Sequence, residues 1–486
     1  MAQAPPKPKL LENLIGGHRT ASQTDDALDV LDPATGETLA RVPLSSAADV
    51  DRAATAAHEA WPAWADTPVP ERARLMFRLQ ALYEEHLDEL AELVTLENGK
   101  GIDEARGEVR RGMEVIEFAA GMPTLMSGQA LEQVSRGIDT ELFHTPLGAV
   151  AAITPFNFPA MVPLWTVPIA IAAGNTFILK PSQCTPLSAM KLAELLEEAG
   201  CPPGVFNVVH GAEDAVNALC DHPLVRAVSF VGSAPVARHV YARCAAAGKR
   251  VQALAGAKNH IVVMPDADLD LAVPGLFSSA FSNAGQRCLA ASVGLPVGEV
   301  ADELAERLVQ MARDSKVGSG LDPENASTPV TSAEARGRIA DYIELGLNEG
   351  ARLLIDGRMD RDDGFFLGPT ILDDVRPEMR VAQEEIFGPV LSLSRVSSLD
   401  EALETIARNE FGNATAIFTR DGGAAREFRR RVTAGMVGIN IPVPAPMAFL
   451  PFAGWKGSFF GDLHATGMDG VRFFTETKVV TTRWPA

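Results

Sequence analysis

The run Phe281-Ser-Asn-Ala-Gly-Gln-Arg-Cys288-Leu-Ala places one thiol after a glycine, beside the cation of Arg287, where a helix-like stretch ends. A thiol attacks carbon only as the thiolate, and neighbouring positive charge with oriented backbone N–H groups favours that form. Cys288 is therefore the candidate nucleophile, with a carbonyl carbon as its target. Cys184, Cys201, Cys220 and Cys244 lie in apolar or helical surroundings without such a setting. A cysteine hydrolase would need a His or carboxylate partner for Cys288, and its local sequence offers none.

Four further segments put polar groups at turns. Ile153-Thr-Pro-Phe-Asn157-Phe-Pro leaves a strand-like run and enters a helical one. The Asn157 amide reads either as a helix N-cap or as a donor to a developing oxyanion, and spacing alone favours the cap. In Leu179-Lys180-Pro-Ser-Gln183, Lys180 suits a nucleotide phosphate or ribose, although a solvated loop lysine is the commoner case. In Phe230-Val-Gly232-Ser233-Ala-Pro235, Gly232 permits close backbone approach and Ser233 opens a helix whose N-terminus can hold a phosphate. No G-x-G-x-x-G accompanies it, so by itself this turn is weak evidence of dinucleotide binding. In Glu384-Glu385-Ile-Phe387-Gly388-Pro389, a carboxylate suits ribose hydroxyls and an aromatic ring suits the flank of a flat nicotinamide. The plainer reading is a charged turn before a strand.

These segments need a scaffold. From Ser46 to about Met122 apolar residues recur at three and four, which predicts helices. Short apolar runs follow at Ala149–Thr154, Thr176–Leu179, Val205–Val209, Ala227–Val231 and Arg250–Leu254. Helical stretches separate them, at 160–173, 186–200, 214–222 and 235–248. Such alternation predicts a parallel sheet covered on both faces. Runs at Ile261–Met264, Ala414–Phe418 and Met436–Asn440, with helices at 299–312 and 399–409, predict a second α/β domain. The tail, Gly470–Trp484, is β-rich and reads either as an arm that pairs with another chain or as an ordinary edge strand.

Composition bounds the rest. A chain of 486 residues predicts two or three domains, since single cores stop growing near ~250–300 residues. A net charge of −20 argues against a nucleic-acid partner. The odd count of five cysteines, with no C-x-x-C, reads as reduced thiols in the cytoplasm, and the N-terminus carries no apolar signal-like run. The longest apolar stretch, Ala160–Gly174, is broken by prolines and too short for a membrane span. No metal-ligand spacing stands out.

Taken in order, P-F-N-F-P, L-K-P-S, F-V-G-S, the cysteine and E-E-I-F-G-P resemble the aldehyde dehydrogenase superfamily over essentially the whole chain. Phe206-Asn-Val-Val-His210-Gly, Cys220-Asp-His-Pro, Gly285-Gln-Arg-Cys288-Leu-Ala and Asn440-Ile-Pro-Val-Pro resemble its CoA-acylating methylmalonate-semialdehyde dehydrogenase branch. The resemblance implies an α/β fold of two parallel-sheet domains with a β oligomerisation arm. Residues 1–125 and 147–255 would bind NAD, 256–445 would carry catalysis, and 126–146 with 465–486 would form the arm of a dimer or tetramer.

By the same resemblance Cys288 forms a hemithioacetal and then a thioester, and Asn157 holds the oxyanion. Thr154, Phe156, Lys180, Gln183, Gly232, Ser233, Glu385 and Phe387 would line the NAD site. Gln183 stands where NAD-preferring members often carry Glu, which leaves NADP use open. Arg287 and Arg111 would bind a substrate carboxylate, and Arg287 would also raise the thiolate fraction of Cys288. Pattern alone makes Arg111 a surface charge or an intrahelical partner of Glu108 or Glu114, and Arg110 beside it competes for the assignment. The resemblance also exposes a departure. Hydrolytic members have E-L-G-G-K, with a Glu that activates water, whereas this chain has Leu254-Ala-Gly-Ala-Lys258. A semialdehyde acid, with CoA as the acyl acceptor and loss of CO₂, is the implied chemistry. A hydrolytic enzyme releasing free acid is the alternative.

Overall fold

The apolar runs that alternate with helices pair into two mainly parallel sheets in the computed structural model, which describes residues 8–361 and 363–485. Residues 1–7, 362 and 486 lie outside the described residues. The first sheet has eight strands. At its centre, Phe206–Val208, Thr176–Lys180, Ala149–Ile153, Val225–Val231 and Arg250–Leu254 run parallel in that order. Antiparallel strands close its two edges, Asn13–Ile15 with His18–Thr20 on one side and Phe459–Phe460 on the other. Ala149–Ile153 and Thr176–Lys180 are buried along their whole length, which is why they read as continuous apolar runs without alternation.

Register fixes the working edge. Ile153 pairs with Lys180 on one side and Phe230 on the other, and Val231 pairs with Leu254. The carboxyl ends of four strands therefore finish level. In open α/β sheets this edge is where ligands bind.

The second sheet orders Arg352–Ile355, Thr370–Asp373, Val390–Leu393, Ala291–Pro296, Asn259–Val263, Ala414–Phe418 and Met436–Ile439. Only its first strand is antiparallel. Leu254 ends a strand of the first sheet and Asn259 begins a strand of the second, so four residues, 255–258, link them.

The predicted helical region contains Ala47–Asp66, Val69–Glu85, Leu87–Asn98 and Ile102–Ala120. The last of these lies close against Met161–Leu164. A Cβ placed on Gly112 would come within 2.6 Å of the Leu164 side chain, so glycine is what allows the approach. The predicted helix over 160–173 is in fact two, Met161–Leu164 and Val167–Ala173. Pro168 lacks the N–H that would continue the first and instead stands in the opening turn of the second.

Three antiparallel strands form a separate sheet, in the order Thr475–Arg483, Ile138–Pro146 and Gln129–Ser135. The tail differs from its β-rich reading at its start. Gly467–Phe473 is a helix, because Val471 and Phe473 bury against the core and draw that turn inward.

Candidate active site

Helix Leu269–Phe281 ends seven residues before Cys288 rather than at it. Asn283, Ala284 and Gly285 then take φ of 50°, 50° and 69°, three consecutive left-handed residues. Only glycine enters that region without cost. At Gly285 a side chain is excluded outright, since a Cβ would sit 2.1 Å from the Gly388 carbonyl oxygen.

This turn delivers Cys288 into a frame of asparagine amides. Asn259 Nδ2 and Asn413 Nδ2 each donate to the Cys288 carbonyl oxygen at 2.8 Å. Asn157 Nδ2 donates to the Gln286 carbonyl oxygen at 2.8 Å, two residues from the thiol. Asn157 is buried and caps no helix; Ala160 is the residue that precedes Met161–Leu164. The cap that spacing favoured is absent because the chain runs on for three residues before it coils.

Cys288 opens on a cavity of about 240 Å³. Arg111, Arg287, Glu108 and Glu114 supply its charged lining, and Phe158, Trp165 and Phe452 supply much of its apolar wall. The Trp165 and Phe452 rings lie 4.6 Å apart. Arg111 lines this cavity, whereas Arg110 is exposed and does not line it. Arg111 Nη1 donates to Glu114 Oε2 at 2.9 Å and Nη2 to the Pro446 carbonyl oxygen at 2.7 Å. The intrahelical pair expected from spacing therefore exists, with Glu114 and not Glu108, and it lies inside the cavity. Arg287 Nη2 donates to the Ser278 and Ser279 carbonyl oxygens at 2.7 and 2.8 Å, and its buried Nε has no partner.

Sequence reading missed the support beneath Asn157. Lys100 Nζ lies 2.5 Å from Glu108 Oε2, and both side chains are buried. The same ammonium donates to the Asn157 carbonyl oxygen at 2.7 Å and stands 4.2 Å from the centre of the Phe158 ring. Glu108 Oε1 accepts from the Ala160 and Met161 amides at 2.8 and 3.0 Å. Asn98 holds the Phe156 carbonyl and Asn283 the Asn157 carbonyl, at 3.0 and 3.2 Å. Lysine is almost never buried unless paired, and these partners are 8 and 57 residues away. No local pattern points to it.

The electrostatics bear out the direction expected of Arg287 and add a larger opposing effect. Burial pushes the Cys288 thiol up to about 12, and the Glu385 carboxylate adds to the rise. Arg287 and the Cys288 and Leu289 backbone N–H groups act the other way, as expected, but the cost of desolvating a thiolate outweighs them. Arg287 therefore does not make Cys288 a standing thiolate in the free protein. Burial also holds Lys180 down to about 8 and Lys258 down to about 7, and raises Glu385 to about 7.

The remaining candidates gather at the level strand ends. Thr154 N donates to the Lys180 carbonyl oxygen at 3.1 Å, and both side chains are buried. No carboxylate among the described residues pairs with Lys180, and Gln183 follows it, half-buried. Ser233 precedes helix Ala234–Ala246 and makes no capping hydrogen bond with its side chain. A Cβ on Gly232 would fall 2.6 Å from the Phe230 ring, so the turn stays bare. Glu385 Oε1 accepts from the Ala257 amide at 2.9 Å. Phe387 has φ of 53° and meets the Phe156 ring edge-on at 5.9 Å. Glu385, Phe387, Lys258 and Arg287 share a small recess. Leu254 is buried in the apolar cluster that Cys288 borders.

Comparison with known proteins gives this arrangement its relatives. A malonate-semialdehyde dehydrogenase of Geobacillus kaustophilus is 56% identical over 487 residues, covering all of both chains. The solved methylmalonate-semialdehyde dehydrogenase of Oceanimonas doudoroffii superposes with a TM-score of 0.96 at 47% identity, over 98% of this chain and 99% of that one. A Sinorhizobium meliloti protein solved with NAD, and described as a methylmalonate-semialdehyde dehydrogenase, gives 0.97 at 45% identity, over 99% of each chain. The aldehyde dehydrogenase family model matches residues 19–480. With the family model matching residues 19–480 and a relative 56% identical over the whole chain, the chain belongs to the aldehyde dehydrogenase family.

Proposed function

We propose that this chain oxidises a short semialdehyde acid of the malonate or methylmalonate type with NAD, and passes the acyl group from Cys288 to CoA with loss of CO₂. One observation carries the reading. Two arginines and the thiol share one cavity, while the position of the water-activating carboxylate is filled by buried Leu254.

The residues at the strand ends fit a dinucleotide. Bare Gly232 and the unengaged Ser233 hydroxyl at a helix N-terminus suit a pyrophosphate, unpaired Lys180 and Gln183 suit one ribose, and Glu385 suits the other. Phe387, with Phe156 edge-on to it, would flank the nicotinamide, and Thr154 would line the same site from the strand end that carries Lys180. When bound there, the nicotinamide supplies a hydride acceptor. Neutral Gln183 presents no charge against a 2′-phosphate, so NADP remains a second acceptor to test.

The chain's own residues do the rest. Cys288 loses its thiol proton to solvent, Sγ adds to the aldehyde carbon, and the Asn157 amide and the Cys288 N–H hold the resulting oxyanion. Arg111 and Arg287 hold the substrate carboxylate and set the aldehyde against the thiol. Loss of hydride leaves a thioester on Sγ. Among the described residues, the carboxylates lining the cavity are Glu108, held by Lys100, and Glu114, held by Arg111. Neither is free to deprotonate water, whereas a thiol near pKa ~8.5 ionises unaided in part at neutral pH.

Residues 1–125 with 147–255 are assigned to nucleotide binding, 256–445 to catalysis, and 126–146 with 465–486 to subunit contact. Exposed Leu131, Phe143 and Val479 on the three-stranded sheet support a homo-oligomer. Five unpaired thiols support work in the cytoplasm. No helix among the described residues is long and apolar enough to cross a membrane.

The test is a panel of malonate, methylmalonate and succinate semialdehydes and propanal, with and without CoA, reading NADH, acyl-CoA, free acid and CO₂. Continuous turnover with CoA and a single stoichiometric burst without it is the expected result. Equal steady rates in both arms would overturn acyl transfer to CoA.

A further inference from the structure

The cavity at Cys288 contains a carboxylate that the proposed reaction does not use. Glu114 is six residues beyond Glu108 on helix Ile102–Ala120 and lines the cavity with the two arginines. Its hydrogen bonds among the described residues go to Arg111 Nη1 alone, at 2.9 and 3.2 Å. Arg111 does not depend on it for position, because Pro446 also holds that guanidinium, from the wall of the cavity. Arg287 is fixed separately by the Ser278 and Ser279 carbonyls. Lys100 neutralises Glu108. The cavity thus holds two positive charges and one negative one that is not otherwise compensated.

We propose that Glu114 sets the charge selectivity of the substrate cavity. In the free protein its carboxylate occupies Arg111 as a substrate carboxylate would, and it reduces the cavity to a net single positive charge. A monoanionic aldehyde matches that charge. A dianion brings a second carboxylate against Glu114, and like charges in a half-buried site repel. This proposal rests on the carboxylated-substrate reading above.

Glu114→Gln keeps the size and an acceptor oxygen while removing the charge. The readout is inhibition of propanal oxidation at about pH 8 by propionate, a monoanion, and malonate, a dianion, with propanamide as the uncharged reference. Relative to propanamide, malonate binding is expected to tighten roughly tenfold and propionate roughly two- to threefold, the scale of a partly exposed charge contact. In an Arg111→Leu background, Glu114→Gln should change the malonate-to-propionate ratio far less. If Glu114→Gln weakens both anions, Glu114 is a buttress for Arg111 and the proposal fails. It fails equally if all three inhibitors shift alike. The underlying reading fails separately if Arg111→Leu and Arg287→Leu leave both anions binding as before.

Discussion

Glu108 and Glu114 stand on the same helix and do opposite things. Glu108 is buried, bonded to a buried ammonium and to two backbone amides of the loop that carries Asn157. Glu114 is 29% exposed at its side chain and bonded to one guanidinium that itself faces the cavity. The difference is one of commitment. Both oxygens of Glu108 are engaged, one by the Lys100 ammonium and the other by the Ala160 and Met161 amides, so it acts as a positioning residue. Glu114 keeps access to solvent and ligand, so its charge is felt by whatever enters. Six residues of helix separate a fully engaged, buried carboxylate from one that lines the cavity and keeps solvent access.

The comparison can be broken at several points. The largest effect is expected from Glu108→Ala, which leaves the Lys100 ammonium buried and unpaired. Breaking such a pair costs about 3–5 kcal/mol, and chemical denaturation would show it, with a fall in kcat as the Asn157 loop loosens. Glu108→Gln should recover part of the kcat, because the amide oxygen still accepts from the Ala160 or Met161 N–H. A variant as stable and active as the parent would remove Glu108 from the frame.

Next is Arg287→Leu, which should raise KM for malonate semialdehyde roughly 10- to 100-fold and leave propanal far less affected. Equal effects on the two aldehydes would deny Arg287 its carboxylate.

The thiol provides a pH test. Burial holds Cys288 near 12 in the free protein, so alkylation by iodoacetamide should climb about tenfold per pH unit from pH 7 to 9 without a plateau. A plateau near pH 7 would restore the cation-activated thiolate that adjacency to Arg287 suggested. The smallest effect is the stability change in Glu114→Gln. It should stay within about 1 kcal/mol, the range of an exposed pair, and a loss as large as that of Glu108→Ala would erase the contrast.

How far the sequence could be read varied with the distance over which each feature is decided. The runs Arg250–Leu254 and Ala414–Phe418 are strands at the boundaries their composition suggests. Ala414–Phe418 is buried throughout, which selects β-branched and small apolar residues. The helix over 160–173 was overestimated because its apolar periodicity outweighed the proline signal within it. The left-handed turn at 283–285 carries two residues, Asn283 and Ala284, of which alanine gives no hint of positive φ. The turn ends at Gly285 against the Gly388 carbonyl, more than a hundred residues away, where no side chain fits.

By itself the sequence determined the order of the strands' motifs, the thiol at Cys288, the absence of a carboxylate at Leu254 and hence the fold class and family. These are local facts: residue types at fixed spacing, each read within one element. Only the tertiary structure decided that Arg111 and not Arg110 lines the cavity at Cys288, that Asn157 is a donor held from beneath by Lys100 and Glu108, and that desolvation overrides the charge of Arg287 at Cys288. The physical reason is common to all three. Burial and the partners of a charge are set by chain segments tens or hundreds of residues away, and no pattern within one segment contains them.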